Sequence, residues 1–474
     1  MTGPNLLVVI ADQFRASALG CLQQDPTHTP HLDHLADGGR LLTHATSTHP
    51  VCSPARAMLL SGEYPWDNGV PRNVNSETAP DGVGLRVESR CWSDVLADAG
   101  YRMGYIDKWH LTPPTEDDEV YGEGRRDDGK VWDAWTPPDQ RHGFSFWYSH
   151  GCCDHHLQPH YWTTDAARDE PLQVDQWSAE HETDVAIGFL RDSAAGPEQP
   201  FGLVVSLNPP HQPFDEVPEE YVSRYAGLTP EELLPRPNVK RDSAIGREAA
   251  DIARLYFAAI TAIDEQVGRI LAELDRLGLA DDTIVVFTSD HGMQLGSQEL
   301  MYKNVPFEES ARVPFVLRWP GRVAPGRDDL LLGSVDVAPT LLGLMGQADQ
   351  VPAQMVGVDC SDALLDREGA QRPSCAPYLG PPFEPGEPDV RGLRTATHKI
   401  VVAHHPDAER SEIQLFDLEA DPYELRNLAD SHPALCNTML HKLEEQVVRT
   451  GDPWPGLASL RCSPGAGVPT TPAS

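Results

Sequence analysis

The run Cys52-Ser53-Pro54-Ala55-Arg56-Ala57-Met58-Leu59-Leu60-Ser61-Gly62 reads as one complete helix with its own start and stop. Ser53 can cap the N-terminus, Pro54 suits the first turn, and Gly62 can end the helix. Cys52 and Arg56 are four residues apart and share a face. A helix N-terminus carries unpaired N–H groups and a partial positive charge, which favour an anion. A cysteine placed there, one turn from an arginine, reads as a nucleophile aimed at an anionic group.

Working outward, Asn5-Leu6-Leu7-Val8-Val9-Ile10-Ala11 is a continuous apolar run, expected of a buried parallel strand, and it ends in Asp12-Gln13. Open α/β sheets bind ligands at the carboxyl ends of their strands, so Asp12 and Gln13 are candidate metal ligands. Three further strands end in polar residues. Arg102–Ile106 leads into Asp107-Lys108-Trp109-His110-Leu111, Phe201–Leu207 into Asn208-Pro209-Pro210-His211-Gln212-Pro213-Phe214, and Thr283–Ser289 into Asp290-His291-Gly292. Lys108 and His110 alternate at a strand end, which points both to one side. Between the strands lie helical stripes at Trp92–Ala99, around Glu182–Leu190, and over Arg247–Leu277.

Cys-x-Pro-x-Arg with its Ser-Gly ending resembles the signature of the type I, formylglycine-dependent sulfatases of the alkaline phosphatase superfamily. Lys108-Trp109-His110-Leu111, Pro210-His211-Gln212-Pro213-Phe214, Ser289-Asp290-His291-Gly292 and Met301-Tyr302-Lys303 resemble further motifs of that family, in family order. The resemblance extends to about residue 430. It implies an alkaline-phosphatase-like α/β sandwich with a central, mostly parallel sheet and a small C-terminal α+β subdomain. It also implies hydrolysis of a sulfate ester. Cys52 would be oxidised to formylglycine, whose hydrate offers a gem-diol oxygen to sulfur. Arg56, Lys108 and Lys303 would neutralise the sulfate, and His211 would protonate the leaving oxygen. His110 would steer the second hydroxyl, which expels sulfate. One divalent ion, Ca2+ first with Mg2+ or Mn2+ as alternatives, would rest on Asp12, Gln13, Asp290 and His291. Maturation would need a formylglycine-generating enzyme. One residue departs from the pattern, Asp107, which stands where the family usually has Gly; at position 13 the family carries Asp or Gln, and Gln13 is the neutral variant.

Bulk properties agree with that class. The 474 residues allow one large domain and a smaller one, set at 1–359 for the catalytic domain, 360–462 for the C-terminal subdomain and 463–474 for a disordered tail. The net charge of −35, from 37 basic and 72 acidic residues, excludes nucleic acid and anionic membranes as expected partners. The same charge would repel an anionic substrate, so the site must gather its own positive charge. No apolar run approaches the roughly 18–20 residues of a membrane span. No signal peptide is evident before Leu6, which makes the cytoplasm the expected location. Nine cysteines without framework spacing read as reduced thiols. The expected substrate is a small-molecule or oligosaccharide sulfate ester.

Several tempting residues read as structural. His31 and His34 belong to a surface helix, and Glu308-Glu309 partner Arg312 or cap a helix. Gly151-Cys152-Cys153-Asp154-His155-His156 lacks zinc spacing and reads as a loop over the active-site mouth. There Trp147, Tyr148 and Trp162 are candidates for substrate contact. The Pro-rich stretch 377–389 reads as a linker or covering loop, Arg391–His404 and Glu412–Asp417 as strands, Asp421–Leu428 as a turn plus short helix, and Pro433–Arg449 as a final helix. Three other readings stay open: a phosphonate or phosphate ester hydrolase using the same formylglycine, a phosphodiesterase or mutase with a Ser or Thr nucleophile, and a noncatalytic anion-binding protein.

Overall fold

The computed structural model describes residues 3–196, 199–382, 386–405 and 410–454. Its main body is a sheet of ten strands: β1 (Asn5–Ala11), β2 (Arg40–Leu42), β3 (Arg102–Lys108), β4 (Phe146–His150), β5 (His160–Thr163), β6 (Leu172–Gln173), β7 (Phe201–Leu207), β8 (Thr283–Thr288), β9 (Phe315–Arg318) and β10 (Gly326–Asp328). Their order is β10-β2-β9-β8-β1-β7-β3-β4-β5-β6. The central five, β8-β1-β7-β3-β4, are parallel to one another, and antiparallel pairs extend the sheet on both sides. The adjacent parallel strands β8, β1, β7 and β3 therefore deliver four carboxyl ends to one rim.

Helices cover both faces: α1 (Pro30–Asp37), α2 (Cys52–Ser61), α3 (Trp92–Asp98), α4 (Ser178–Ala195), α5 (Ala244–Arg276) and α6 (Ser334–Leu344). Strand periodicity shows why β1 is apolar at every position from Leu6 to Ala11. Leu7, Val9 and Ala11 face one core, which α1, α4 and α5 complete, while Leu6, Val8 and Ile10 face the other, which α2, α3 and α6 complete. Helix α5 spans 33 residues and starts where Ser243 Oγ accepts a hydrogen bond from the Gly246 N–H.

A second sheet of four antiparallel strands, β11 (Ala376–Gly380), β12 (Asp389–Arg394), β13 (His398–His405) and β14 (Arg410–Asp417), packs against α7 (Pro433–Thr450) around Leu393, Ile400, Val402, Leu415, Met439 and Leu440. This is the small α+β subdomain that the resemblance implies. Three local readings are corrected here. The Pro-rich stretch opens with β11, because an edge strand tolerates Pro377, which has no N–H to give. The single strand read over Arg391–His404 is a hairpin that turns at Thr395-Ala396-Thr397. Residues Asp421–Leu428 form turns without a helix. The tail at 463–474 lies outside the described residues.

Glu308 joins the two sheets, pairing with Arg394 at 3.2 Å and Lys399 at 2.8 Å from the small sheet. Glu309 turns the other way, accepting from Arg236 and Asn238 at 2.7 Å each. Both carboxylates are buried and fully engaged, which confirms their structural role. Seven of the described cysteines are free thiols, whereas Cys436 is disulfide-bonded, against the expectation of reduced thiols throughout. No helix among the described residues is long and apolar enough to cross a membrane.

Candidate active site

Helix α2 begins at Cys52 itself. Val51 occupies the cap position with no side-chain bond, so Ser53 is not the cap. Ser53 Oγ instead accepts from the Val74 N–H at 3.1 Å, and its own N–H goes to Asn73 Oδ1 at 3.0 Å. Gly62 closes the helix at φ 64°, as its position predicts. The Cys52 thiol thus sits in the first turn and points at the rim formed by β8, β1, β7 and β3.

Each of those strands contributes there. Beyond β1, Asp12 Oδ2 takes an ion pair from Lys108 Nζ at 2.7 Å and from Arg56 Nη2 at 3.0 Å. Beyond β8, Asp290 Oδ2 accepts from Arg56 Nε at 3.0 Å, and Asp290 Oδ1 accepts the N–H groups of Gln13 at 3.1 Å and His291 at 2.9 Å. His291 Nδ1 donates to the Gly292 carbonyl at 2.9 Å, which leaves Nε2 as a lone pair. That atom lies 3.2 Å from Cys52 Sγ and 3.5 Å from Asp12 Oδ1. Burial pushes the His291 pKa down to about 4, against the pull of the Asp290 carboxylate, so the lone pair stays free.

Oxygen or nitrogen ligand atoms of Asp12, Asp290 and His291, with Cys52 Sγ, all lie within 4.8 Å of one another. Gln13 sits at φ 66°, and its Oε1 accepts at 2.9 Å from Lys303 Nζ, the ammonium that also reaches Cys52 Sγ. Two carboxylates and an imidazole held by its second nitrogen form a donor set suited to one hard divalent ion. The residues present therefore fit a metal.

The positive charges divide by role. Arg56 is buried and uses Nη1 on the Lys108 carbonyl at 2.8 Å and Ser206 Oγ at 2.5 Å, besides its two carboxylates. Its guanidinium braces Asp12 and Asp290 rather than facing a ligand, which corrects its expected place as a neutraliser of sulfate. Lys108 would be pushed down by burial, but Asp12 outweighs that and holds its pKa well above the ordinary value. Its Nζ also donates to Asn208 Oδ1 at 2.9 Å. Lys303, half-buried, reaches Cys52 Sγ at 3.4 Å. Burial and the Asp12 carboxylate push the Cys52 thiol up, but Lys303, Lys108 and a hydrogen bond with His211 outweigh them and lower it.

His110 arrives by a different route from the one alternation predicts. It lies beyond the end of β3 at φ 55°, and its Nε2 donates to the Val74 carbonyl at 3.0 Å. Its Nδ1 is a buried acceptor with no partner among the described residues. Burial and the nearby Lys108 and Arg56 charges hold its pKa well below the ordinary value, so the ring is neutral. His211, beyond β7, presents Nδ1 to the Gln212 carbonyl at 2.9 Å.

Asp107 explains its own departure from the family pattern. It sits at φ 74°, the region that favours Gly, and its carboxylate takes His150 Nε2 at 2.5 Å and the Asn208 N–H at 2.7 Å. Three residues escape sequence reasoning. Asn208 links Lys108 to the loop at 153–154, and its position directly after a buried strand was the available signal. Ser206 and Trp132 carry no motif; Trp132 lies 5.8 Å from the His110 ring, centroid to centroid. The aromatic candidates Trp147, Tyr148 and Trp162 are buried instead. Trp147 packs on Trp109 at 5.3 Å, and the Tyr148 hydroxyl bonds His181 Nε2 at 2.6 Å.

Comparison with known proteins agrees with this geometry. The sulfatase family model matches residues 4–347, and the model of the N-sulphoglucosamine sulphohydrolase C-terminal region matches residues 296–450. An endo-4-O-sulfatase of Bacteroides thetaiotaomicron is 36% identical over 95% of this chain and 93% of its own length. An ulvan-active sulfatase of Formosa agariphila is 31% identical over 95% of this chain and 82% of its own. The solved structure of the yidJ protein of Bacteroides fragilis superposes with a TM-score of 0.89 at 41% identity, covering 96% of this chain and 97% of that one. The nucleophile helix, the four strand ends and these matches coincide, and the chain belongs to the sulfatases, the formylglycine-dependent branch of the alkaline phosphatase-like superfamily, which hydrolyse sulfate esters.

Proposed function

We propose that this sulfatase removes sulfate from a sulfated saccharide, working from Cys52 as formylglycine beside a Ca2+ ion. The observation that carries the mechanism is the place of Cys52 Sγ: in the first turn of α2, 3.4 Å from Lys303 Nζ and 3.2 Å from His291 Nε2. The saccharide reading rests on the relatives, one named an endo-4-O-sulfatase and one an ulvan-active sulfatase. A formylglycine-generating enzyme is the maturation partner of this reading.

Formylglycine supplies, as its hydrate, the oxygen nucleophile and a second hydroxyl. A divalent ion held by Asp12, Gln13, Asp290 and His291 supplies positive charge beside the sulfate. Every other requirement falls to side chains in place. A sulfate ester is anionic, and Lys108 and Lys303 flank Cys52 to offset that charge as it grows on the ester oxygens. Arg56 pairs with both Asp12 and Asp290 and keeps them aligned. His211 gives a proton to the departing oxygen, a task suited to imidazole near neutral pH. His110 offers its unpartnered Nδ1 as an acceptor for a hydroxyl hydrogen.

The test is a substrate panel. Protein matured alongside a formylglycine-generating enzyme is given monosulfated disaccharides, 4-nitrophenyl sulfate, and the matching phosphate and phosphonate esters. A sulfated disaccharide should have the highest kcat/KM. Faster turnover of a phosphate or phosphonate ester, or of the aryl sulfate over every saccharide, would overturn the substrate reading.

A further inference from the structure

The segment Gly151–His156 remains unused by the chemistry above, yet it encloses His211. His156 Nε2 donates to the His211 carbonyl at 2.9 Å. Asp154 Oδ1 lies 3.5 Å from His211 Nδ1 and accepts from Asn208 Nδ2 at 3.2 Å, the residue that also receives Lys108 Nζ. On its far side, Asp154 Oδ2 takes Arg126 Nη1 at 2.6 Å.

The segment is fixed residue by residue. The N–H groups of Gly151 and Cys152 both go to Asp133 Oδ1, at 2.7 and 3.2 Å. The Cys153 N–H goes to His150 Nδ1 at 3.1 Å, and the Asp154 N–H to Glu123 Oε1 at 3.1 Å. The Cys153 carbonyl accepts from Asn208 Nδ2 at 2.7 Å. Four consecutive backbone donors are thus held by side chains, an investment in placing whatever the segment carries.

We propose that Asp154 is a positioning residue for His211, resting on the assignment of His211 as the acid that protonates the leaving oxygen. The Gln212 carbonyl accepts the Nδ1–H, so the tautomer is fixed and Nε2 is the nitrogen that exchanges the proton, while the Asp154 carboxylate stands 3.5 Å from the same Nδ1. The carbonyl orients the ring, whereas only the carboxylate stabilises the imidazolium by charge. In the step, sulfur bonds to the nucleophile oxygen at position 52 as the S–O ester bond breaks, and the electron pair of the broken bond stays on the leaving oxygen. That oxygen takes the Nε2 proton, and His211 becomes a neutral imidazole that keeps its Nδ1–H. Arg126 and Asn208 hold Asp154 against rotating away.

The leaving group provides a readout that a purely structural role would not move. A sugar hydroxyl needs the proton, while 4-nitrophenolate departs without it. Asp154→Asn should lower kcat on a sulfated saccharide by about 10–100-fold, the usual cost of removing an orienting partner. The same variant should keep its kcat on 4-nitrophenyl sulfate within about threefold, which also shows that it folds and is matured. His211→Ala is the reference and should show the same selective loss, larger. Equal losses on both substrates for Asp154→Asn, or none on either, would overturn the proposal while leaving His211 in its role. If His211→Ala shows no selectivity either, the acid assignment falls and the proposal with it.

Discussion

Replacing Arg56 with Met should unfold the metal cluster's charge balance and reveal what that residue does. Arg56 supplies the only charged side-chain donor in contact with Asp290 among the described residues, through Nε at 3.0 Å, and one of two cations on Asp12. Without it, Asp12 keeps Lys108 at 2.7 Å, but Asp290 keeps only the backbone N–H groups of Gln13 and His291. Breaking a buried pair by removing one partner costs about 3–5 kcal/mol, because a carboxylate is left without its counter-charge. Lys in place of Arg should cost less, about 1.5–3 kcal/mol, since one ammonium cannot reach both carboxylates. The assay is urea unfolding followed by tryptophan fluorescence, first in chelator and then in Ca2+. A divalent ion takes over the neutralisation of Asp290, so the deficit of Arg56→Met should narrow when Ca2+ is added. A variant within about 0.5 kcal/mol of the parent in chelator would refute the reasoning.

Three further outcomes follow from the same geometry. Lys303→Ala should fold normally, as Lys303 is only half-buried, yet lose about 100-fold or more in kcat/KM, the scale for one preorganised donor; unchanged kinetics would remove Lys303 from the site. Glu182→Gln should alter the pH dependence of stability. Burial and the neighbouring Asp107 carboxylate hold the Glu182 pKa well above its ordinary value, and Tyr161 donates to its Oε1 at 2.6 Å. A raised carboxyl pKa gives stability that is present at low pH and lost as pH climbs past the ordinary carboxylate range, so the variant should gain on the parent as pH rises; parallel Tm curves would contradict this. Chelation of divalent ions should abolish sulfate release and lower Tm, with Ca2+ restoring both; full activity after exhaustive chelation would count against a metal at Asp12 and Asp290.

What was legible in the sequence shares one physical trait. Asp12, Lys108, His211, Asp290 and His291 each stand at or just beyond the end of a buried parallel strand, so short-range patterning locates them, and Cys52 announces its own helix. What was not legible depends on contacts between distant segments. His156 and His211 are 55 residues apart and no local pattern joins them. Arg56 looked like a substrate contact because its partners, Asp12 and Asp290, come from strands on either side of it in the sequence. His110 obeyed a positive-φ turn instead of strand alternation, and Trp147 and Trp162 were absorbed by the core of an extended sheet. In the small subdomain, edge placement rescued Pro377 for a strand, a tertiary fact that composition cannot carry.

The central claim is that Cys52 is the precursor of the nucleophile. Its most direct test is the mass of the peptide containing Cys52, from protein produced with a formylglycine-generating enzyme. The account predicts a residue that has exchanged its sulfur for oxygen and lost a pair of hydrogens, and sulfate release in proportion to the converted fraction. An intact thiol in protein that hydrolyses sulfate esters at full rate would contradict it.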